Sequence, residues 1–274
     1  MNSPILFGTS GWNQEPRGTR PSIHALEHLA ADFDAVEISS ARDVMLKPEI
    51  VNVWIRKVNR NPRFRFSVAL HRSFTEDRQL DRDSIQQFAE GVRPMQRAGR
   101  LGCVLMQFPW SFRFTGENRK FLIELRRTFS AYPLVAEMRH SSWLHDDAIG
   151  TFLDYNVGFC NVDQTPQVHS MPATNFLTSS IGYVRLCRQR RDEYGRWQPA
   201  YDDETYAEWK SRIEKVSRFS QATFVVASMS DQRVAERCVA KIQAMLDSSR
   251  PVPARPVTSQ GSLFQELGRT EDAA

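Results

Sequence analysis

PLVAEMRHSSWL, residues 133–144, opens as a buried strand and then departs from one. Val135 and Ala136 are apolar, but Glu137, Arg139 and His140 arrive before any turn signal, and Trp143 follows. Side chains alternate across a strand, so Val135, Glu137 and Arg139 share one face while Ala136 and Met138 share the other. Ionisable groups at such a strand end need either partners or a chemical task. Seven more β-rich runs accompany it: PILFGTS (4–10), AVEISS (35–40), RFRFSVAL (63–70), GCVLMQFP (102–109), VGFCNVD (157–163), IGYVRLC (181–187) and TFVVASM (223–229).

Amphipathic helical stretches separate most of these runs, for example SIHALEHLAADF (22–33) and DQRVAERCVAKIQAML (231–246). Strands alternating with helices imply a parallel sheet. Eight such units fit the size of a closed (β/α)8 barrel; a doubly wound open sheet is the alternative, with fewer strands and a Gly-rich first turn. GTSGW (8–12) carries glycines but is not G-x-G-x-x-G, so no dinucleotide site is expected. QTPQVHSMPATNFLTSS (164–180) has two prolines and no helical period. The helix after the sixth strand is therefore expected to be missing or degenerate. The barrel is expected over 1–247, and 248–274, with three prolines, reads as a flexible tail.

Composition is that of a globular domain: 274 residues, 41% hydrophobic, 25% charged, net charge +4. That balance tolerates a polyanionic partner without requiring one. Cys103, Cys160, Cys187 and Cys238 lie far apart with no C-x-x-C pair, which argues against a zinc site or a disulfide framework. With no basic leader and no long apolar run, a cytoplasmic protein is expected.

The same parity, carried around the barrel, points Glu37, Ser39, Ser67, His71, Gln107, Asn161, Asp163 and Arg185 inward, with Ser10 and Ser228 completing a ring. Polar groups at the carboxyl ends of strands converge on one mouth, where (β/α)8 enzymes keep their active sites. The other reading is an ion-pair network in which Arg139 and Arg185 neutralise Glu37 and Glu137. As a site, Glu37, Glu137, His140 and Asp163 would handle protons, and Arg139, Arg185 and Arg188 would take a phosphate. Trp12 and Trp143 offer stacking surfaces, as do Trp110 and Trp197, although tryptophans there also simply pack loops. CRQRRDEYGRW (187–197) reads as a basic loop, partly cancelled by Asp192 and Glu193. A divalent metal on these carboxylates and histidines is conceivable but not favoured, because the arginines compete with a cation.

Along these residues the chain resembles the YecE-like proteins, the family of domain of unknown function 72. The matching stretches are GTSGW (8–12), VEISS (36–40), FRFSV (64–68), LMQFP (105–109), AEMRHSSW (136–143), Val162-Asp163 and YVRL (183–186). The resemblance implies a (β/α)8 barrel similar to xylose isomerase-type and endonuclease IV-type barrels, and no particular reaction. The chain departs from the family pattern at Arg42-Asp43, Ala69, Cys187-Arg188 and ASMS (227–230). In the tail, Gln260, Ser262, Leu263 and Phe264 resemble the peptide that binds the bacterial DNA sliding clamp, with Gly261 in place of its leucine.

The expected function is a phosphoester- or nucleic-acid-processing enzyme of the hydrolase type, recruited to the sliding clamp by its tail. Its partner would be a phosphate-bearing small molecule or a nucleic acid. The alternative is a non-catalytic module binding a nucleotide or sugar phosphate; a sugar isomerase-like enzyme rests on fold analogy alone.

Overall fold

The computed structural model describes residues 3–12 and 25–247. Among them, eight parallel strands close into a barrel: β1 (Ile5–Ser10), β2 (Ala35–Ile38), β3 (Arg65–Ala69), β4 (Leu101–Gln107), β5 (Leu134–Glu137), β6 (Gly158–Asp163), β7 (Ile181–Leu186) and β10 (Ala222–Ala227), which returns to β1. The helices between them are α1 (Ala25–Asp32), α2 (Pro48–Lys57), α3 (Arg72–Thr75), α4 (Arg82–Arg97), α5 (Gly116–Thr128), α6 (Asp146–Asp154), α7 (Asp203–Ser217) and α8 (Gln232–Asp247).

Residues paired across a parallel ladder share a face, so register decides which side chains meet on the axis. Ser10 pairs with Glu37, Glu37 with Ser67, and Ser67 with Cys103. Gln107 pairs with Glu137, and Arg185 lies between Val162 and Val226. The opposite parity, including Val36, Phe66, Val104, Met106, Ala136, Phe159 and Val184, is buried. It forms one hydrophobic cluster with Leu26, Val51, Phe88, Leu125, Phe152, Trp209 and Val239 of the helical layer.

Helix starts follow local chemistry. Asp81, Thr115 and Asp202 accept backbone N–H groups at the heads of α4, α5 and α7, and Pro48 opens α2. Gly8 sits where β1 approaches β2: a Cβ there would lie 2.0 Å from the Ala35 carbonyl oxygen. Gly11, at φ +79°, turns the chain out of β1.

No helix follows β6. Asn161 holds the connection in its place: its Oδ1 accepts Phe176 N at 2.7 Å and Thr174 Oγ1 at 2.8 Å, and its Nδ2 donates to Phe176 O at 2.9 Å. The 187–197 stretch, read from sequence as a loop, forms an antiparallel hairpin of β8 (Gln189–Arg191) and β9 (Trp197–Pro199). No helix among the described residues is long and apolar enough to cross a membrane.

Candidate functional site

Arg185 rises from β7 into the centre of the barrel and is 7% exposed. Its Nε donates to Glu37 Oε2 at 3.0 Å and its Nη2 to Glu37 Oε1 at 2.9 Å. Its Nη1 reaches Glu137 Oε2 at 3.1 Å, and Nη2 also donates to Ser228 Oγ at 2.8 Å. Two buried carboxylates thus share one guanidinium, whose planar fork suits the bidentate grip. Burial opposes the charge on Arg185, but Glu37 and Glu137 outweigh it and hold the guanidinium well above its ordinary range.

Glu37 is fully occupied. Besides Arg185, it accepts Ser10 Oγ at 2.9 Å and the Tyr183 hydroxyl at 2.9 Å. A carboxylate offers about four acceptor positions, and all are filled. Tyr183 gives its only proton to Glu37, so Ser67 Oγ, 2.9 Å from the phenol oxygen, is the donor in that contact. Burial pushes the Tyr183 phenol well above its ordinary range, with Glu37 adding to the effect. Tyr183 was absent from the residues picked out by sequence. The signal was there, since it shares the parity of Arg185 in IGYVRLC.

Glu137 differs. Gln107 Nε2 donates to its Oε2 at 3.0 Å, and Arg139 Nε to its Oε1 at 3.1 Å. With Arg185 these make three bonds, leaving one acceptor position on Oε1 beside Arg139. Burial raises the Glu137 pKa, but Arg185, Arg139 and the Gln107 amide together bring it below the ordinary carboxylate value. The Arg139 side chain is 46% exposed, and among the described residues only its Nε has a partner.

Above this floor lies a cleft of about 630 Å³ lined by Ser39, Arg42, Asp43, Glu76, Gln107, Trp110, Arg139 and Arg185. Arg42 pairs with Glu76 and with Asp43. Trp110, 40% exposed, has Arg113 over its ring at 5.1 Å and the His140 ring edge-on at 5.0 Å. Arg42-Asp43, noted in sequence as a departure from the family pattern, stands in the cleft wall.

His140 and His71 have fixed roles. Each begins a short helical turn, and its Nδ1 accepts the backbone N–H two residues on, from Ser142 at 3.1 Å and Ser73 at 3.3 Å. A backbone N–H can only donate, so Nδ1 serves as the acceptor in each of these contacts. Burial, Arg113 and His169 lower the His140 pKa. His140 therefore offers an N–H donor rather than a base through Nδ1.

Other predicted site residues face elsewhere. Asn161 and Asp163 do not point to the axis; Cys160 and Val162 do, because β6 pairs Cys160 with Tyr183 and Val162 with Arg185. Asp163 accepts the indole N–H of Trp209 from α7 at 3.0 Å and Arg188 Nε at 2.9 Å, which also draws Arg188 away from the mouth. Trp143 is wholly buried, stacked on Phe112 at 5.3 Å with its indole N–H on the Phe112 carbonyl. Trp197 is covered by Arg191, and Trp12 packs edge-on against Trp54 at 5.0 Å. The loop after the eighth barrel strand is capped by a carboxylate, Asp231 Oδ1 on Val234 N, which opposes a phosphate at the head of α8. Among the described residues, no three His, Cys, Asp or Glu side chains converge as a metal cage would require. Gln260, Leu263 and Phe264 lie outside the described residues.

The sequence pattern of the family described as Protein of unknown function DUF72 matches residues 6–260. The chain belongs to this family. A DUF72 family protein from Enterococcus faecalis V583 has a similar crystal structure, with TM-score 0.76 and 19% identity over 89% of this chain and 98% of that one. Another, from Thermotoga maritima MSB8, gives TM-score 0.73 and 22% identity over 89% and 99%. At these identities the likeness is one of fold. No match to the chain was found among curated proteins. In this DUF72 barrel the polar groups that could act on a ligand lie at the mouth.

Proposed function

We propose that the barrel mouth binds a phosphate-bearing ligand, a nucleotide or sugar phosphate or the equivalent unit of a nucleic acid. The observation that carries this is Arg139, whose Nε is tied to Glu137 while the rest of its guanidinium faces the cleft. A guanidinium fixed along one edge presents its remaining N–H groups as a pre-set fork for a phosphate. Trp110, on the same cleft, gives a base or sugar ring an aromatic surface. The acids Asp43 and Glu76 offset Arg42 and Arg72, so recognition here comes from local geometry rather than from a broad positive field.

Titrating the protein with inorganic phosphate and with a nucleoside monophosphate tests this by calorimetry. Arg139→Met is expected to weaken both at least tenfold. Equal affinity in the variant would falsify the assignment.

Phosphoester processing is the second reading, favoured by Glu137. An ionised carboxylate with one open acceptor position beside an anion site is the state a general base needs, although its lowered pKa makes it a weak one. Glu37, with every acceptor position filled, supports the floor rather than the chemistry. Turnover of a phosphoester or oligonucleotide that survives in Glu137→Gln rules this reading out. Recruitment to a sliding clamp through Gln260, Leu263 and Phe264 is a separate proposal, resting on the sequence alone. Equal capture by the clamp of the intact chain and of Leu263→Ala/Phe264→Ala would retire it.

A further inference from the structure

The amino-terminal end of the barrel holds an unusual pair of cations. Arg65 pairs in register with Ala35, two residues before Glu37 and Ser67, so it lies on the axial face at the opposite end from the mouth. Barrel layers are normally filled there by Val, Ile and Leu. Arg65 Nη1 donates to the carbonyls of Pro62 and Phe64, each at 3.0 Å. Arg100, 9% exposed, donates from Nη1 to Asn61 O at 2.7 Å and to the same Phe64 oxygen at 3.3 Å.

Two guanidiniums therefore meet at one carbonyl. Among the described residues neither has a carboxylate partner; the nearby Arg63 has one, Asp34 at 3.0 Å. Burial, and then the charge of Arg65, lower the pKa of Arg100, the signature of like charges left uncompensated. Carbonyl dipoles satisfy hydrogen bonds but carry no net charge, so an anion placed here would be attracted to both cations.

There is room for one. A cleft of about 340 Å³ opens at this end, lined by Arg63 and Arg65 on one side and by Leu6, Leu101, Ile181 and Phe224 on the other. The geometry points to a second binding site here, for a small organic anion whose carboxylate pairs with Arg65 and whose apolar body lies against Leu6, Leu101 and Phe224. A cleft of this size suits a small molecule, and its apolar wall favours an organic body over a bare inorganic ion. Arg100 stands behind Arg65 and adds to the attraction. Asp34 faces the same region and is neutralised by Arg63. The site is independent of the reading given above for the mouth, which lies at the other ends of the same strands.

Titration with hexanoate, followed by amide NMR shifts in the full chain, tests the assignment. Saturable shifts are expected at residues 63–65, 101–102 and 221–224, with inorganic phosphate at least tenfold weaker. Arg65→Met is expected to weaken hexanoate at least tenfold, and Arg139→Met to leave it unchanged. Should Arg65→Met fold poorly, Ala222→Glu places a carboxylate on the half-exposed rim and is expected to abolish binding. An absence of saturable shifts in the wild type, or unaltered affinity in Arg65→Met or Ala222→Glu, overturns the site. Phosphate binding as tightly as hexanoate overturns the ligand class.

Discussion

Arg185 and Glu37 face each other across the barrel axis in a two-bond grip, Nε to Oε2 at 3.0 Å and Nη2 to Oε1 at 2.9 Å, with both side chains buried. Removing the guanidinium would strand two carboxylates inside the barrel. Replacing Arg185 by Met is expected to cost about 3–5 kcal/mol, the usual penalty for breaking a buried pair. Urea unfolding of the two proteins measures it; a loss below about 1 kcal/mol would show that water already reaches the floor.

Glu137 links stability to acid. Its pKa is lowered in the folded chain from the ordinary 4.5, so the unfolded chain binds the proton more tightly. Its contribution is full above about pH 4.5 and is lost as pH falls through the lower folded value. The urea midpoint should drop on that acid limb. In Glu137→Gln the limb should be shallower, on a baseline lower by about 3 kcal/mol.

His140 acts in a higher window with the same sign. Its folded pKa lies below the ordinary 6.5, so stability is expected to decline as pH falls from about 6.5, when protonation of Nδ1 displaces the Ser142 N–H. His140→Asn presents an oxygen to the same donor and should flatten this part of the profile. His140→Ala should lose about 1 kcal/mol at pH 7.5, the cost of a missing cap. An unchanged slope between pH 7 and 5 in His140→Asn would assign the titration to another group.

Trp143 and Trp110 separate packing from recognition. Trp143→Ala is expected to destabilise the barrel by about 3–5 kcal/mol, because it empties a filled core site. Trp110→Ala should leave the unfolding midpoint nearly unchanged and weaken nucleotide binding in the calorimetric titration. The reverse pattern would place the recognition surface elsewhere.

Gly8 offers a test of the GTSGW motif. A methyl group there meets the Ala35 carbonyl oxygen at 2.0 Å, backbone that cannot swing aside. Gly8→Ala is therefore expected to cost about 3 kcal/mol or prevent closure of β1 on β2, read from the thermal midpoint and the yield of folded protein. Gly116→Ala, with open space around it, is the control and should be near neutral.

The sequence by itself determined the barrel, the missing sixth helix and the floor of the mouth. Strand parity is a local property of period two, and Glu37, Gln107, Glu137 and Arg185 kept it into the folded state. Only the tertiary structure decided the rest. Asp163 and Arg188 turned out of the mouth because register with β7 set the phase of β6, and Trp209 and Arg188 then supplied partners for the acid. Trp143 entered the core because Phe112, far away in sequence, provides both a stacking surface and an acceptor for its N–H. Glu37 lost its open acceptor positions to Ser10 of β1 and to Tyr183 and Arg185 of β7, both far from it in sequence. Alternation says which face a side chain is on, but pairing register and the hydrogen-bond capacity of its neighbours are non-local, and they decide whether it is free to act.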